Sequence, residues 1–306
     1  MNGSVELEAS PAQALSAQDY GGSAQAIQYH YDVNREFYRL WLDESMTYSS
    51  ALWEKGDDLV AAQKRKIRYH LAQSHADDAR SILDVGCGWG GLIRLAADLP
   101  SVERIIGLTL SEDQAAYVRG LGLEKAEIRL ESWTEHEPEL PYDSIVSIGA
   151  FEHFTKPEDS TEEKIAVYRD FFRRCASWLT PDGRMSLQTI AFGSMKREES
   201  SLFINNEIFP ASDLPRLDEI AAAADGIFEI VQVRNDRLHY ARTFEMWAQN
   251  LRSRHTAAAA LVGEEVTKKY ERYLKQSSMG FYMGKLALYR VSLRPISPRW
   301  ATMAAA

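Results

Sequence analysis

A glycine-rich turn placed directly between a strand and a helix constrains this chain more than any other feature of its sequence. Residues 81–85 (SILDV) read as a buried strand, and residues 86–91 (GCGWGG) follow at once and lead into a helix. Gly86 and Gly88 let the backbone approach a ligand closely, and the helix start offers amide groups without intrahelical partners. The turn lacks the Lys-Ser/Thr of a phosphate loop and the G-x-G-x-x-G spacing of dinucleotide sites. We therefore predict a different nucleotide-type ligand at this turn.

The turn belongs to a regular alternation of strands and helices. Apolar runs predict strands at 81–85, 104–108, 126–130, 144–148 and 184–190, and amphipathic stretches predict helices at 90–98, 112–121 and 162–179. Pro181-Asp182-Gly183 is expected to end the last of these helices. Strands that alternate with helices form a parallel sheet with right-handed crossovers, so we predict an α/β fold.

The segments on either side of this core are less regular. Aromatic residues between positions 16 and 43 predict short helices, and residues 57–76 predict an amphipathic helix. Regularity breaks between 191 and 235, where we expect an inserted cap, and resumes with helices at 239–251 and 264–275 and a closing strand at 284–291. We divide the chain into an N-terminal helical lid (1–78), a core (79–190), a substrate cap (191–238), and C-terminal helices with the closing strand of the core (239–306).

Composition excludes several classes of protein. The 306 residues carry a net charge of −9, so no global positive field would draw the chain to nucleic acid or anionic lipid. The two cysteines are too few for a disulfide framework, no Cys/His cluster has zinc spacing, and no apolar run approaches a membrane span. We predict a cytoplasmic protein without a metal, without nucleic acid and without stable membrane association.

Several motifs in a fixed order resemble one family of enzymes. The chain is similar, from about residue 30 to 293, to the cyclopropane fatty acid synthase and mycolic acid cyclopropane synthase family of class I S-adenosylmethionine (SAM)-dependent methyltransferases. The resemblance implies a Rossmann-like fold with a mostly parallel seven-stranded sheet, helices on both faces, an N-terminal helical lid and an inserted cap. The motifs that carry it are 30–32 (HYD), 47–49 (TYS), 83–91 (LDVGCGWGG), 107–111 (GLTLS) with Gln114, 147–148 (SI), 151–154 (FEHF), 207–210 (EIFP), and 239–240 (HY) with Trp247.

The resemblance also implies a set of contacts to SAM, with S-adenosylhomocysteine as the product. Tyr48 and Ser49 would close over the cofactor, and Thr109 and Gln114 would hold the ribose. Trp133 and Thr134 would flank the adenine, although Trp133 taken alone could equally be a core aromatic. The remaining expected contacts lie at or beside the ends of the strands that carry the glycine turn and the FEHF motif, namely Asp84, Gly86, Gly88, Gly90 and Ile148.

The family's chemistry implies a catalytic set as well. An alkene carbon attacks the SAM methyl, and a bound bicarbonate then removes a proton so that a ring closes. The positions that match the bicarbonate site are Ser50, Ile148, Glu152, about Ser194, and Tyr240, but the family typically has Cys at the first and His near the fourth. These two departures argue against a bicarbonate site of the family type, and whether the ion is bound stays open.

Four residues are our candidates for catalysis. Glu152 follows an apolar strand, where a carboxylate points into the ligand crevice, and the alternative is a structural ion pair or helix cap. His153 is either a base or an orienting neighbour, and Tyr240 is favoured by the resemblance over His239. Tyr31, expected in the lid over the cofactor, completes the set.

We predict a methyltransferase that acts on a hydrophobic small molecule and C-methylates the alkene of a prenyl-type natural product, through a cation quenched by deprotonation or cyclisation. Geranyl diphosphate C-methyltransferase and the teleocidin C-methyltransferase are family members of this kind. The alternatives are N- or O-methylation of a small molecule, cyclopropane synthesis on acyl chains, and a catalytically silent SAM-binding protein. Lys196-Arg197 could hold a diphosphate or be a solvated charge run. The aromatic N-terminal segment is compatible with a homo-oligomer.

Overall fold

The computed structural model describes residues 20–21, 35–199, 208 and 212–296. Its strands are β1 (Ser81–Val85), β2 (Arg104–Thr109), β3 (Ala126–Leu130), β4 (Tyr142–Ile148), β5 (Leu179–Phe192), β6 (Phe228–Asn235) and β7 (Leu286–Pro295). Its α-helices are α1 (Arg35–Arg39), α2 (Leu59–Gln73), α3 (Gly91–Ala97), α4 (Glu112–Arg119), α5 (Thr161–Trp178), α6 (Leu217–Ala224), α7 (Arg237–Ser253), α8 (His255–Val262) and α9 (Glu264–Tyr282). Short 3₁₀ turns occur at Phe151–His153 and Arg197–Glu199.

The seven strands form one sheet in the order β3-β2-β1-β4-β5-β7-β6. The pairs from β3 to β5 are parallel, and β7 is antiparallel to both of its neighbours. The predicted mostly parallel, seven-stranded Rossmann-like sheet is therefore confirmed. Because β2 lies on one side of β1 and β4 on the other, the chain reverses direction across the sheet at this point, and the loops after β1 and β4 frame a crevice at the carboxyl edge.

Successive residues of the central strands enter different cores, as expected from the two-residue period of a strand. Leu83 and Ile145 pair across β1 and β4 and belong to the core that α5 and α6 cover. Ile82 and Val146 belong to the opposite core, where α2, α3 and α4 pack. Both faces of the sheet are thus buried, which explains the nearly continuous apolar composition of these strands.

A third core, rich in aromatic residues, covers the carboxyl edge of the sheet. It joins α1 and the residues after it to α7 and α9 through edge-to-face contacts, for example between Trp41 and Trp247 at a centroid distance of 5.7 Å. Tyr38 and Tyr270 lie in the same cluster, with their hydroxyl oxygens 3.2 Å apart. Phe37, Tyr38 and Trp41, the described aromatic residues between positions 35 and 43, therefore pack in one cluster with α7 and α9.

Polar side chains fix where the helices begin. The Ser160 hydroxyl accepts from the Glu163 amide (3.2 Å), and the Glu163 carboxylate accepts from the Ser160 amide (2.8 Å), so α5 starts with a capping box. The Asp58 carboxylate accepts from the Ala61 amide at the start of α2 (2.8 Å). These caps place the predicted helix starts at 57 and 162 within two residues of those observed.

Two strands differ from the sequence prediction. β5 begins at Leu179, directly after α5, so Pro181-Asp182-Gly183 lies inside the strand instead of forming a turn before it. The pairing of β4 with β5 shifts register between Tyr142 and Ser144, and this irregularity accommodates the interruption. The closing strand also runs on to Pro295 rather than ending at 291.

β6 and α6 fall inside the segment expected to be a cap. β6 is one of the two edge strands, and its side chains are mostly exposed, Val231 by 57%. Its apolar alternation, Phe228 with Ile230 and then Val231 with Val233, changes phase where the pairing with β7 shifts register, which weakens the strand signal in the sequence. Residues 217–235 thus belong with the sheet and with α5, while the division into lid, core and cap otherwise stays a prediction.

Candidate active site

The glycine-rich turn meets the loop after β4 at the carboxyl edge of the sheet. Gly86, Gly88 and Gly90 have φ values of +82°, +53° and +77°, a region that favours glycine. A Cβ on Gly86 would lie 2.6 Å from the Cβ of Ala150, whereas one on Gly88 would meet nothing within 4 Å. The turn is therefore packed against its neighbour at Gly86 and open at Gly88.

A cavity of about 450 Å³, which we call the cofactor cavity, lies beside this turn. Its volume is in the range of small-molecule sites, roughly 300–1,000 Å³. Asp84 and Gly90 do not line it, because Asp84 is buried in β1 and Gly90 is the N-cap of α3. Its lining includes every other residue predicted to bind the cofactor: Tyr48, Ser49, Gly86, Gly88, Thr109, Gln114, Trp133, Thr134 and Ile148.

Two pairs of residues predicted to contact the cofactor, Thr109 with Gln114 and Trp133 with Thr134, lie on the wall of the cofactor cavity. The Thr109 hydroxyl donates to the Gln114 side-chain oxygen (2.8 Å), which brings the end of β2 and the start of α4 together. Trp133 lines the cavity and also packs edge-to-face on Phe171 at 5.2 Å. Both interpretations of this residue, cavity wall and core aromatic, therefore hold at once.

Lys66 is a residue of the cofactor cavity that the sequence analysis missed. It is 1% exposed, lines the cavity, and its Nζ donates to the Ser49 hydroxyl at 2.8 Å. Burial, reinforced by the Arg290 guanidinium, lowers the pKa of Lys66 to about 7. Burial likewise raises the pKa of Asp84 to about 7, although the Lys66 ammonium opposes that shift. Nothing in the sequence around Lys66 separates it from the other basic residues of α2, so only its burial in the structure identifies it.

A second cavity of about 840 Å³, which we call the acceptor cavity, opens next to the first. The two share four lining residues, Tyr48, Ser49, Gly149 and His153. Gly149 has a φ of +73°, and a Cβ there would meet nothing within 4 Å, so the junction is open at this point. A molecule in either cavity can therefore contact a molecule in the other.

Glu152 lies in the acceptor cavity, 6% exposed. Its Oε1 accepts from the Ile190 amide at 2.5 Å, and its buried Oε2 has no hydrogen-bond partner in the described part of the chain. Burial raises the pKa of Glu152 to about 7, against the lowering effect of the Ile190 amide. No cation pairs with it among the described residues, so the structural ion pair considered for this residue is not found there. Glu152 is thus a carboxyl group that can hold or release a proton near neutral pH.

The other catalytic candidates differ in their placement. The Nδ1 of His153 lies 2.7 Å from the Ser212 hydroxyl, and burial lowers the pKa of His153 to about 4, so its ring is neutral at pH 7. Tyr240 lines the acceptor cavity and stacks on Phe244 at a centroid distance of 4.5 Å. Tyr31 lies outside the described residues.

The residues expected near a bicarbonate ion do not all come together. Ser50 is fully buried and donates to the Ala51 carbonyl (3.1 Å), and Ser194 is exposed and donates to the Gly284 carbonyl (3.0 Å). Neither lines either cavity, so the structure does not bring these two positions to the site expected for the ion. Arg197 is engaged by Asp213 (2.7 Å) and by backbone carbonyls, which leaves Lys196-Arg197 no basic pair for a diphosphate.

Gln188 forms the polar floor of the acceptor cavity and is contacted by the fully buried Arg290, and the sequence analysis missed both. They are cross-strand partners on β5 and β7, and Arg290 Nε donates to the Gln188 side-chain oxygen at 2.9 Å. His70 Nε2 lies 3.3 Å from the same oxygen. Because the guanidinium has only donors, the Gln188 oxygen must face it, and the amide NH₂ turns towards the cavity. Buried polar residues in strands have no periodic signal of their own, so only the structure reveals this floor.

Two absences hold for residues 20–21, 35–199, 208 and 212–296. No group of three or more His, Cys, Asp or Glu side chains is arranged to hold a metal ion there. No helix in this part of the chain has the length and apolar character needed to cross a membrane.

Comparison of the sequence with known families and known proteins identifies one family. The family described as "Mycolic acid cyclopropane synthetase" matches residues 19–291. Cyclopropane mycolic acid synthase 3 of Mycobacterium tuberculosis is 35% identical over 277 residues, covering 84% of this chain and 92% of that protein. The S-adenosylmethionine-dependent methyltransferase UmaA of the same species is 37% identical over 265 residues, covering 80% of this chain and 88% of the relative.

Solved structures agree with the sequence comparison. The mycolic acid cyclopropane synthase CmaA1 complexed with S-adenosylhomocysteine and CTAB has a TM-score of 0.79 and 33% identity, covering 89% of this chain and 98% of that one. A geranyl diphosphate methyltransferase in complex with SAM reaches a TM-score of 0.56 at 16% identity, covering 81% of this chain and 96% of that one. The second likeness extends to the fold alone.

Proposed function

Because the chain belongs to the mycolic acid cyclopropane synthetase family of SAM-dependent methyltransferases, we propose that it methylates a carbon–carbon double bond in a long apolar acceptor and closes the adduct to a cyclopropane ring. One observation carries the proposal. The cofactor cavity and the acceptor cavity meet at an open junction, and a buried carboxyl group lies on the acceptor side.

The residues of the cofactor cavity fit SAM. Gly88 leaves room for close approach, Thr109 and Gln114 offer polar groups for a ribose, and the Lys66–Ser49 pair lies at the end next to the junction. When bound, SAM supplies an electrophilic methyl group. The chain's contribution is alignment, since methyl transfer needs the carbon, methyl and sulfur nearly in line in a site that excludes water.

The acceptor cavity fits an apolar chain that becomes positively charged during reaction. Its inner wall includes the stacked rings of Tyr240, Phe244 and Phe281, with centroids 4.7 Å apart between the first and the last. Ring faces attract cations, by about 0.5–2 kcal/mol each. These rings can thus lower the energy of a carbocation while keeping water away from it.

Glu152 is the group proposed to take the proton. With SAM bound, the electron pair of the acceptor double bond would form the new bond to the methyl carbon, the sulfur would keep the electrons of the broken sulfur–methyl bond, and the other alkene carbon would be left positive. Glu152 Oε2, which has no partner in the described part of the chain, then accepts a proton from the transferred methyl group. The electrons of that C–H bond close the three-membered ring. A carboxylate whose pKa is about 7 has enough basicity for this step near neutral pH.

A second candidate is methylation without ring closure, which was our first prediction from the sequence. The placement of Ser50 and Ser194 outside the cavity favours it, because these positions then contribute nothing to an anion site. In that case Glu152 takes the proton from a carbon next to the cation, and a methyl-branched alkene forms. The relatives named cyclopropane synthases favour ring closure, and the prenyl acceptor of the distant structure carries no weight here.

Isotopic labelling separates the two candidates. The purified protein is given SAM with a fully deuterated methyl group and a lipid extract rich in unsaturated acyl chains, and products are read by mass spectrometry. A cyclopropane keeps two of the three deuteriums, and a methyl-branched product keeps all three. Glu152→Gln should abolish both products, whereas Glu199→Gln, an exposed carboxylate on the same cavity, should not. Methyl transfer to nitrogen or oxygen alone would refute the proposal.

A further inference from the structure

The outer part of the acceptor cavity is lined by positive charge. Lys268, Arg272 and Lys275 occupy successive turns on one side of α9, and all three are exposed lining residues of the cavity. Arg252, in the last turn of α7, is a fourth. We call these four residues the basic rim.

The basic rim is a local positive patch on a chain whose net charge is −9. Lys268 is paired with Glu264 at 2.9 Å, but neither Arg252 nor Lys275 forms an ion pair within the described part of the chain. Of the acidic residues nearby on the cavity wall, Glu271 is engaged by His255 at 2.9 Å. The rim therefore keeps a local positive potential that a ligand in the cavity would experience.

The rim lies far from the reacting end of the cavity. Tyr240 and Arg252 both line the cavity and lie at opposite ends of α7. Twelve residues of α-helix separate them, which is about 18 Å at 1.5 Å per residue. Phe244 and Tyr273 line the wall as well, so the interior is largely aromatic while the rim is charged.

We propose that the acceptor is an amphiphile whose anionic head group, a carboxylate or a phosphate, binds the basic rim while its double bond lies at the junction of the two cavities. This inference rests on the proposed function only in taking the larger cavity as the acceptor site. The rim would select the chain length of the acceptor, because a head group bound at Arg252 places the double bond at the junction only when the chain between them has the matching length. Double bonds close to the head group would not reach the methyl donor.

Binding without turnover tests the head-group inference separately from the reaction. Three saturated amphiphiles of one chain length, a fatty carboxylate, the primary alcohol and the trimethylammonium, are titrated below their micelle concentrations and followed by tryptophan fluorescence. Each exposed charge pair contributes only modestly to the binding free energy, but several act together at the rim. We therefore expect the carboxylate to bind about tenfold more tightly than the alcohol, and the trimethylammonium to bind most weakly. The advantage should shrink as salt is added.

Charge reversal locates the effect. Arg252→Glu with Lys275→Glu should remove the preference for the carboxylate and favour the cation. Lys55→Glu with Arg173→Glu makes the same change in net charge at exposed positions that line neither cavity, and should leave the preference intact. Equal affinity for all three amphiphiles, or equal effects of the two double variants, would overturn the proposal.

Vesicles distinguish a free amphiphile from a lipid surface. Sedimentation with anionic and with zwitterionic phospholipid vesicles is compared for the wild-type chain and the rim variant. A rim-dependent preference for anionic vesicles together with carboxylate binding supports head-group recognition from either source. Binding to anionic vesicles without any binding of the monomeric carboxylate would overturn it, since the rim would then act as a membrane surface and not as part of the cavity.

Discussion

Arg290 connects three separate parts of the active site, and replacing it should lower the free energy of unfolding more than replacing an exposed arginine. The side chain is 0% exposed and makes an ion pair with Asp236, next to the start of α7. It also donates to the Gln188 side chain in β5 (2.9 Å) and to the carbonyls of Ser50 (3.3 Å) and Ala51 (3.2 Å), just after the residues that line the cavity junction. We expect Arg290→Met to destabilise the fold and to loosen both cavities.

The expected loss of stability depends on the buried groups that lose their partner when methionine replaces Arg290. Removing one member of a buried ion pair costs about 3–5 kcal/mol, because the other charge stays buried. Each buried acceptor that loses its donor adds about 1–3 kcal/mol, but these costs overlap and relaxation reduces their sum. Taking about 4 kcal/mol as the net loss, the melting temperature of a chain this size should fall by on the order of 10 °C.

Urea denaturation followed by circular dichroism measures the loss, and Arg234→Met is the matched control. Arg234 contacts the same Asp236 carboxylate at 3.1 Å, but its side chain is 36% exposed. An exposed pair contributes at most about 1 kcal/mol, so this variant should remain close to wild type. Asp236→Asn combined with Arg290→Met should recover part of the loss. Similar destabilisation by the two arginine variants would refute the reasoning, because burial would then not be the cause.

Three further predictions concern single residues. The pKa of Glu152 rises from 4.5 to about 7 on folding, so ionisation of this carboxyl destabilises the fold increasingly as the pH rises through that window. Glu152→Gln should therefore raise the free energy of unfolding by about 3 kcal/mol at pH 8 and leave it unchanged at pH 4. Urea titrations at both pH values measure the difference. Lys66→Met removes the hydrogen bond to Ser49 and should weaken SAM binding about tenfold by calorimetry, and an unchanged affinity would contradict that role. Gly149→Ala and Gly122→Ala both place an alanine at positive φ in open space, so each should lose about 1–2 kcal/mol, but only Gly149→Ala should also impair turnover.

Much of the fold could be predicted because local signals and the tertiary structure agree. The predicted strand at 81–85 is observed with the same bounds, and Ser160 and Ser111 cap helices near the predicted starts. Most of the residues that the family resemblance implied for the cofactor line the cofactor cavity, because several of them follow the carboxyl ends of β1, β2, β3 and β4. Edge strand β6 was not predicted, because its side chains are mostly exposed and its apolar alternation changes phase where the pairing with β7 shifts register.

The acceptor side was harder to predict because its polar residues come from distant parts of the chain. Arg290 and Gln188 lie 102 positions apart and become neighbours only through the antiparallel pairing of β5 with β7. Lys66 lies among the basic residues of α2, where its sequence context does not distinguish it from a surface lysine. Ser194 shows the converse case, because the resemblance placed it only approximately near the site and its side chain is exposed and lines neither cavity.

The insertion of β7 between β5 and β6 has a consequence for synthesis of the chain. β5 and β6 leave the ribosome before β7, and until then one edge of β5 and the inner edge of β6 lack their common partner. Unpaired edges can pair with other chains, so the nascent protein passes through an aggregation-prone interval that ends only when β7 is released. The same strand delivers Arg290, and therefore acceptor-site assembly and protection from misassociation occur in one late step. Translation pauses or truncations before Leu286 should expose the chain to chaperones and proteases rather than yield a partly active enzyme.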